Sequence, residues 1–217
     1  MVGSLLDLGY PKQLRFNRLL RKWDKLVRSS KHVCILSARG HGKSVYFSEL
    51  LNLYDMFLFK FRRIILISSS SEQAEHILNE LKTIIDNNEW LSTKKDPVRW
   101  ANDNIGFNGG YILAKGIGSE ILGQHVDRIV IDDILRTDNK LTDKEIEDYV
   151  DMNLEPMILE RRGQMIIVGT PKRSTDIFAT IFNRIKLEPD SSWVLKKFPA
   201  ILDYEKKILQ CPDRFTW

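Results

Sequence analysis

The segment V-C-I-L-S-A-R-G-H-G-K-S, residues 33–44, constrains this chain more than any other. Residues 33–37 read as a short buried strand, and the pattern from Ser44 to Phe59 is helical. Between them lies a glycine-rich turn. A strand that runs through such a turn straight into a helix aims backbone N–H groups and a helix N-terminus at one point, which is what a bound polyphosphate requires. Gly40 and Gly42 let the backbone turn tightly and approach closely. Lys43 brings a mobile positive charge, and Ser44 brings a hydroxyl suited to Mg²⁺. The usual pattern, G-x-x-x-x-G-K-[ST], has a glycine where this chain has Ser37. Arg39 stands inside the loop; it is either a surface arginine at a loop tip or a group placed to meet charge spreading over a transferring phosphoryl group. The whole run Ser37, Ala38, Arg39, Gly40, His41, Gly42, Lys43 and Ser44 is the candidate nucleotide-binding set. The plainer reading is a chance G-K-S, and the strand-loop-helix context argues against it.

The rest of the chain repeats the alternation. Residues 13–28 put Phe16, Leu19, Leu20, Trp23, Leu26 and Val27 on one helical stripe. Apolar strands are expected at Arg63–Ser68, Arg128–Asp132, Gln164–Val168 and Trp193–Phe198, and a helix at Ser71–Asp86. Residues 104–115 read as a hairpin turning at Asn108-Gly109-Gly110. Thr142 and Glu145 form a capping box opening a helix to about Leu159, and Ser174 or Thr175 caps another to about Ile185. Strands rich in Ile and Val between helices predict an α/β fold: a mainly parallel central sheet with helices on both faces. The expected organisation is an N-terminal helical segment over 1–32, a core over 33–200, and the start of a linker over 201–217. The closing C-P-D-R-F-T-W reads as the run-up to more protein.

Composition narrows the setting. No apolar run approaches the roughly 18–20 residues that span a bilayer, and the start of the chain lacks the pattern of a signal peptide. Two cysteines, Cys34 and Cys211, make no disulfide framework, so an intracellular setting is expected. The net charge of +4 permits a polyanionic partner without requiring one. Basic residues crowd the early chain, from Lys12 and Arg15 through Arg18, Arg21, Lys22, Lys25, Arg28 and Lys31. They form either a solvated helix face or a surface for nucleic acid or a partner.

Two further motifs complete a candidate site. R-I-V-I-D-D, residues 128–133, is an apolar strand ending in acid. Asp132 would orient Mg²⁺ through water, and Asp133 would polarise an attacking water. The alternatives are an aspartate-rich turn or paired carboxylates of a two-metal nuclease. In I-I-V-G-T-P, residues 166–171, Thr170 follows a buried strand and can sense a γ-phosphate.

Together these pieces resemble the ATPase domain of the large terminase subunit of tailed bacteriophages. S-A-R-G-H-G-K-S resembles that family's variant phosphate loop. S-S-S-S-E-Q-A-E-H-I-L (68–78), G-I-G-S-E-I-L-G-Q-H-V-D-R-I-V-I-D-D (116–133) and V-G-T-P (168–171) resemble stretches that follow in the same order. The resemblance implies a P-loop ATPase that pumps double-stranded viral DNA into a procapsid, with ATP and Mg²⁺. By position, Lys43 and Ser44 bind phosphate and Mg²⁺, Arg39 contacts the γ-phosphate, Asp132 is the Mg²⁺ acid, Asp133 the catalytic acid and Thr170 the coupling residue. Tyr10 and Gln13 in G-Y-P-K-Q resemble an adenine-contacting motif. It also implies sequence-independent DNA binding, a portal protein and a small terminase subunit as partners, a homo-oligomeric ring on the procapsid (or a monomer in isolation), no membrane, and the host cell cytoplasm.

Two positions depart from the family. The catalytic acid is commonly glutamate, so Glu145 or Glu147 are alternatives to Asp133. Leu122 stands where relatives carry a trans-acting arginine, which leaves Arg128 or Arg136 as candidates. Relatives continue into a ribonuclease-H-like nuclease, so no DNA cleavage is expected of residues 1–217 alone. Two other classes compete: a helicase-like DNA-dependent ATPase, suggested by S-S-S-S-E-Q-A, and a nucleotide- or DNA-binding adaptor without turnover.

Overall fold

The period-2 alternation of the strands divides the apolar residues between two cores. β1 (His32–Ser37) sends Val33 and Ile35 to one face and Cys34 and Leu36 to the other. β2 (Arg63–Ser68) does the same with Ile64 and Leu66 against Ile65 and Ile67. A strand buried on both faces needs helices on both, as in a parallel sheet. The computed structural model, which describes residues 18–58, 63–121, 123–135, 141–159, 163–188, 190–212 and 214–217, has this arrangement. Tyr10, Gln13, Phe16, Leu122 and Arg136 lie outside the described residues.

The remaining strands are β3 (Lys95–Trp100), β4 (Asn104–Phe107), β5 (Gly110–Gly116), β6 (Arg128–Asp132), β7 (Gln164–Gly169), β8 (Trp193–Phe198), β9 (Ile201–Asp203) and β10 (Ile208–Leu209). The first eight form one sheet in the order β3-β4-β5-β2-β6-β7-β1-β8, and β9 pairs with β10. From β5 to β8 every neighbouring pair is parallel; β4 runs against both β3 and β5. The β4–β5 hairpin turns on Asn108 and Gly109, at φ 48° and 77°, the left-handed pair that matches the twist of a two-residue loop.

One face is covered by α1 (Arg18–Ser29), α2 (Leu51–Leu58) and α3 (Ser71–Asp86); α4 (Glu89–Ser92) follows as a single turn. The stripe expected on α1 buries Leu19, Leu20, Trp23 and Val27, while Arg18, Arg21, Lys22, Lys25, Arg28 and Lys31 stay exposed. The other face carries α5 (Asp143–Asp148) and α6 (Ile177–Leu187). The capping box of Thr142 and Glu145 is present. The cap of α6 is neither Ser174 nor Thr175. Asp176 accepts from Phe178 N and Ala179 N, and its other oxygen holds Lys172 N and Arg173 N at 2.8 and 3.0 Å. A carboxylate with four backbone donors outcompetes a hydroxyl for the cap position.

Between the glycine loop and α2 the helix widens into a π-helical turn, Val45–Leu50. Buried Asn52 donates to the Phe47 and Ser48 carbonyls there, at 3.1 and 2.9 Å. Cys34 is a fully buried thiol, as its place in an apolar strand suggested. No helix among the described residues is long and apolar enough to cross a membrane.

Candidate functional site

β6, β7 and β1 are adjacent and parallel, so their carboxyl ends open at one edge of the sheet. That edge is where open α/β sheets bind ligands, because loops and helix N-termini converge there. Here it gathers Asp132 from β6, Gly169-Thr170 from β7 and Ser37 from β1.

The loop after β1 turns on Gly40 and Gly42, both left-handed, at φ 77° and 84°. A side chain at either would be strained by roughly 1–2 kcal/mol. The Lys43 ammonium lies across the loop and donates to the Ser37 and Ala38 carbonyls at 2.8 and 3.1 Å. The Thr170 hydroxyl donates to the same Ser37 carbonyl at 3.4 Å. The residue expected to couple and the lysine expected to bind phosphate thus share one acceptor. Ser37, standing where a glycine is usual, spends its hydroxyl on the buried His41 ring, 3.0 Å from Nδ1. Burial lowers the pKa of His41, and the charges of Lys43 and Arg214 lower it further.

Asp132 is buried, with 1% of its surface exposed. Its Oδ2 accepts from the Ser48 hydroxyl at 2.7 Å, while Oδ1 has no hydrogen-bond partner among the described residues. Burial raises its pKa; Ser48, Ser44 and Lys43 pull it down, and Asp133 pushes it up. An orphaned carboxylate oxygen beside the Ser44 hydroxyl, at the head of a phosphate-type loop, is a donor set that fits a hard divalent cation such as Mg²⁺. Ser48 was not foreseen. It is four residues past Ser44 and therefore on the same helical face, a signal available in the sequence.

Asp133 follows in the left-handed region at φ 47°, its N–H donating to the Val168 carbonyl at 3.0 Å. A non-glycine residue held there costs on the order of 1–3 kcal/mol, and such strain concentrates at functional sites. The side chain is exposed, as is Arg39. Burial lowers the pKa of Lys43; Asp132 and Asp133 oppose this and Arg39 adds to it, so all three charges act on one ammonium.

Other expectations divide. Arg128 cannot act on a neighbouring subunit. It is 2% exposed at the far end of β6, where it binds Asp55, Asn52 and Gln164. Glu145 closes its own helix, its Oε2 accepting from Thr142 N and Oγ1 at 2.7 and 2.8 Å. Glu147 lies 3.6 Å from Lys144. Among the described residues no group of three or more His, Cys, Asp or Glu is placed to hold a metal, so the two-metal alternative gains no support.

No family model matches the sequence, and no curated protein does. Solved structures do match. The large terminase of bacteriophage HK97 is similar over 90% of this chain at 15% identity and a TM-score of 0.69. The chain spans 41% of that protein's length. An ATPase-domain variant of the Thermus phage P74-26 large terminase matches 89% of this chain and 83% of its own, at 15% identity and a TM-score of 0.62. The large terminase of a thermophilic bacteriophage in complex with ATP-γ-S matches 86% of this chain and 44% of its own, at 16% identity and a TM-score of 0.54. At such identities the likeness is one of fold. This chain has the P-loop fold of the ATPase domain of bacteriophage large terminases.

Proposed function

We propose that the chain hydrolyses ATP to drive double-stranded DNA into a viral procapsid. One observation carries the reading: Lys43, Asp132, Asp133 and Thr170 meet at the ends of three adjacent parallel strands, around a glycine loop that opens a helix. The loop N–H groups, Lys43 and the helix N-terminus bind the phosphates of ATP. Ser44 and Asp132 hold Mg²⁺, which when bound neutralises charge on the phosphate oxygens. Asp133 takes the proton of the attacking water, and Arg39 meets the charge that develops on the γ-phosphate. Thr170 senses that phosphate and, through the Ser37 carbonyl it shares with Lys43, passes on its loss. Tyr10 and Gln13 contact adenine.

DNA is gripped through its phosphates and without sequence preference, so binding falls steeply with salt. The partners are a portal protein, a small terminase subunit and further copies of this chain in a ring, working in the host cytoplasm. Residues 1–32 serve as adenine-side segment and residues 33–200 as ATPase core. The deciding measurement is phosphate release with Mg²⁺-ATP at high protein concentration, since a ring motor can need a neighbour's arginine. Wild type should exceed Lys43→Ala by at least about 100-fold. Equal rates would leave only a nucleotide- or DNA-binding adaptor.

A further inference from the structure

The apolar half of α1 is committed to the core, and that fixes what its other half presents. Leu19, Leu20, Trp23 and Val27 are buried, with the Trp23 ring 5.8 and 5.0 Å from those of Tyr46 and Phe47. Arg18, Arg21, Lys22, Lys25 and Arg28 are all exposed, and Lys31 continues the row just past the helix end. Asp24 is the one acid of α1, and it is already engaged. It accepts from the Tyr46 hydroxyl at 2.9 Å and lies 3.4 Å from Arg28 Nε. Arg28 in turn binds buried Asp55 at 2.6 Å. Arg18, Arg21, Lys22 and Lys25 make no ion pair among the described residues. They also crowd one another. Arg18 stands three and four residues before Arg21 and Lys22, and Lys25 stands three and four after Lys22 and Arg21. Like charges at those spacings face each other along a helix and weaken it. A polyanion laid along the row relieves that repulsion.

We propose that the outer face of α1, with Arg21, Lys22 and Lys25 at its centre, grips the sugar-phosphate backbone of duplex DNA. This rests on the DNA-translocation reading above and adds the surface that makes the contact. From Arg18 to Lys25 the helix advances about 10 Å, the axial reach of about three successive phosphates on one strand. The row combines arginine, whose planar fork suits phosphate oxygens, with lysine, whose flexible stem can follow a moving backbone. An anionic bilayer fits less well. A helix that lies in a membrane surface inserts its apolar side, and here that side is buried in the protein. A second copy of the chain fits less well too, because acids on the opposite face are matched internally: Asp143 by Arg173, Asp148 by Lys144 and Asp151 by Arg184. The face is also close to the glycine loop. Tyr46, held by Asp24 and packed on Trp23, lies two residues past Ser44, and its N–H donates to the Gly42 carbonyl at 3.0 Å. A load on α1 is therefore passed to the first turn after the loop.

The test is fluorescence anisotropy of a labelled DNA duplex titrated with the full chain across a series of salt concentrations. The triple variant Arg21→Gln, Lys22→Gln, Lys25→Gln should bind about 10-fold or more weakly at low salt, and its slope of log affinity against log salt should be shallower by about 2–3. A second triple, Lys196→Gln, Lys197→Gln, Lys206→Gln, removes the same charge from exposed positions elsewhere and should bind nearly as wild type. Equal weakening by the two triples overturns the inference, because net charge alone would then account for it. If the α1 triple does not fold, its three single variants carry the comparison, each with a slope shallower by about 1. Unchanged slopes in all three overturn it. Binding of phosphatidylserine vesicles in preference to duplex assigns the face to a membrane and overturns it. So does a change of oligomeric state in the α1 triple with duplex binding intact, which assigns it to a second copy. Wild-type affinity in the α1 triple removes this inference and leaves the DNA reading standing, whereas a wild-type chain that binds no duplex removes both.

Discussion

Replacing Asp132 with asparagine should make the protein more stable and less active at once. The carboxylate is buried and one oxygen has no hydrogen-bond partner among the described residues. Its pKa is raised, chiefly by burial, despite the help of Ser48, Ser44 and Lys43. A raised folded-state pKa means the neutral form is favoured relative to the unfolded chain. The group's stabilising contribution is thus full below the ordinary carboxyl range and is lost as pH rises through the folded value. Above that range, keeping a carboxyl here is a net cost. Asparagine keeps the shape, keeps an oxygen for the Ser48 hydroxyl and removes the charge. By the scale of buried charges replaced by neutral groups, the gain is about 1–3 kcal/mol, or roughly 2–10 °C in Tm for a chain of this size. The nucleotide effect runs the other way. Mg²⁺-ATP at 100 times its dissociation constant stabilises wild type by about 2.7 kcal/mol. If the variant binds 100-fold more weakly, the same concentration gives about 0.4 kcal/mol. Urea unfolding of both proteins, with and without Mg²⁺-ATP, reads both numbers. A variant that is less stable than wild type without ligand, or one that keeps the full ligand-induced gain, would refute the reasoning.

Two more outcomes follow from buried polar groups. Arg128→Ala leaves Asp55 in the interior with Arg28, at 2.6 Å, as its one remaining ion-pair partner among the described residues. It should lose about 3 kcal/mol or more in chemical denaturation, while Arg128→Met loses less by filling the space. His32, packed on Trp193, has its pKa lowered to about 4 by burial and by Lys31. A lowered pKa contributes stability above the unfolded value near 6.5 that is lost as pH falls toward 4. Wild type should therefore lose up to about 3 kcal/mol across that window, and His32→Gln should show a flatter profile in denaturant titrations.

The helices and strands were legible because their residues repeat at the period of the element. Each strand named from the sequence forms, and so do the Asn108-Gly109 turn and the Thr142–Glu145 box. β3 was missed because K-D-P-V-R-W is an exposed edge strand without alternation. The α6 cap was misplaced because a hydroxyl and a carboxylate two residues apart satisfy the same pattern, and only the count of N–H donors separates them. Ser48 was readable by its spacing from Ser44 and was passed over.

By itself the sequence determined the alternation of strand and helix, and with it the loop, its lysine and serine, and the acids after β6, since each is a matter of near neighbours. Tertiary structure alone decided which strand ends share an edge. The order β6-β7-β1 sets Asp132, Thr170 and Lys43 around one point, although they are far apart in the chain. It also buried Arg128 with Asp55 and brought Phe215 onto Gly40 and His41. Such meetings depend on sheet order and on where a distant segment finds buried space, and no local period or spacing encodes either.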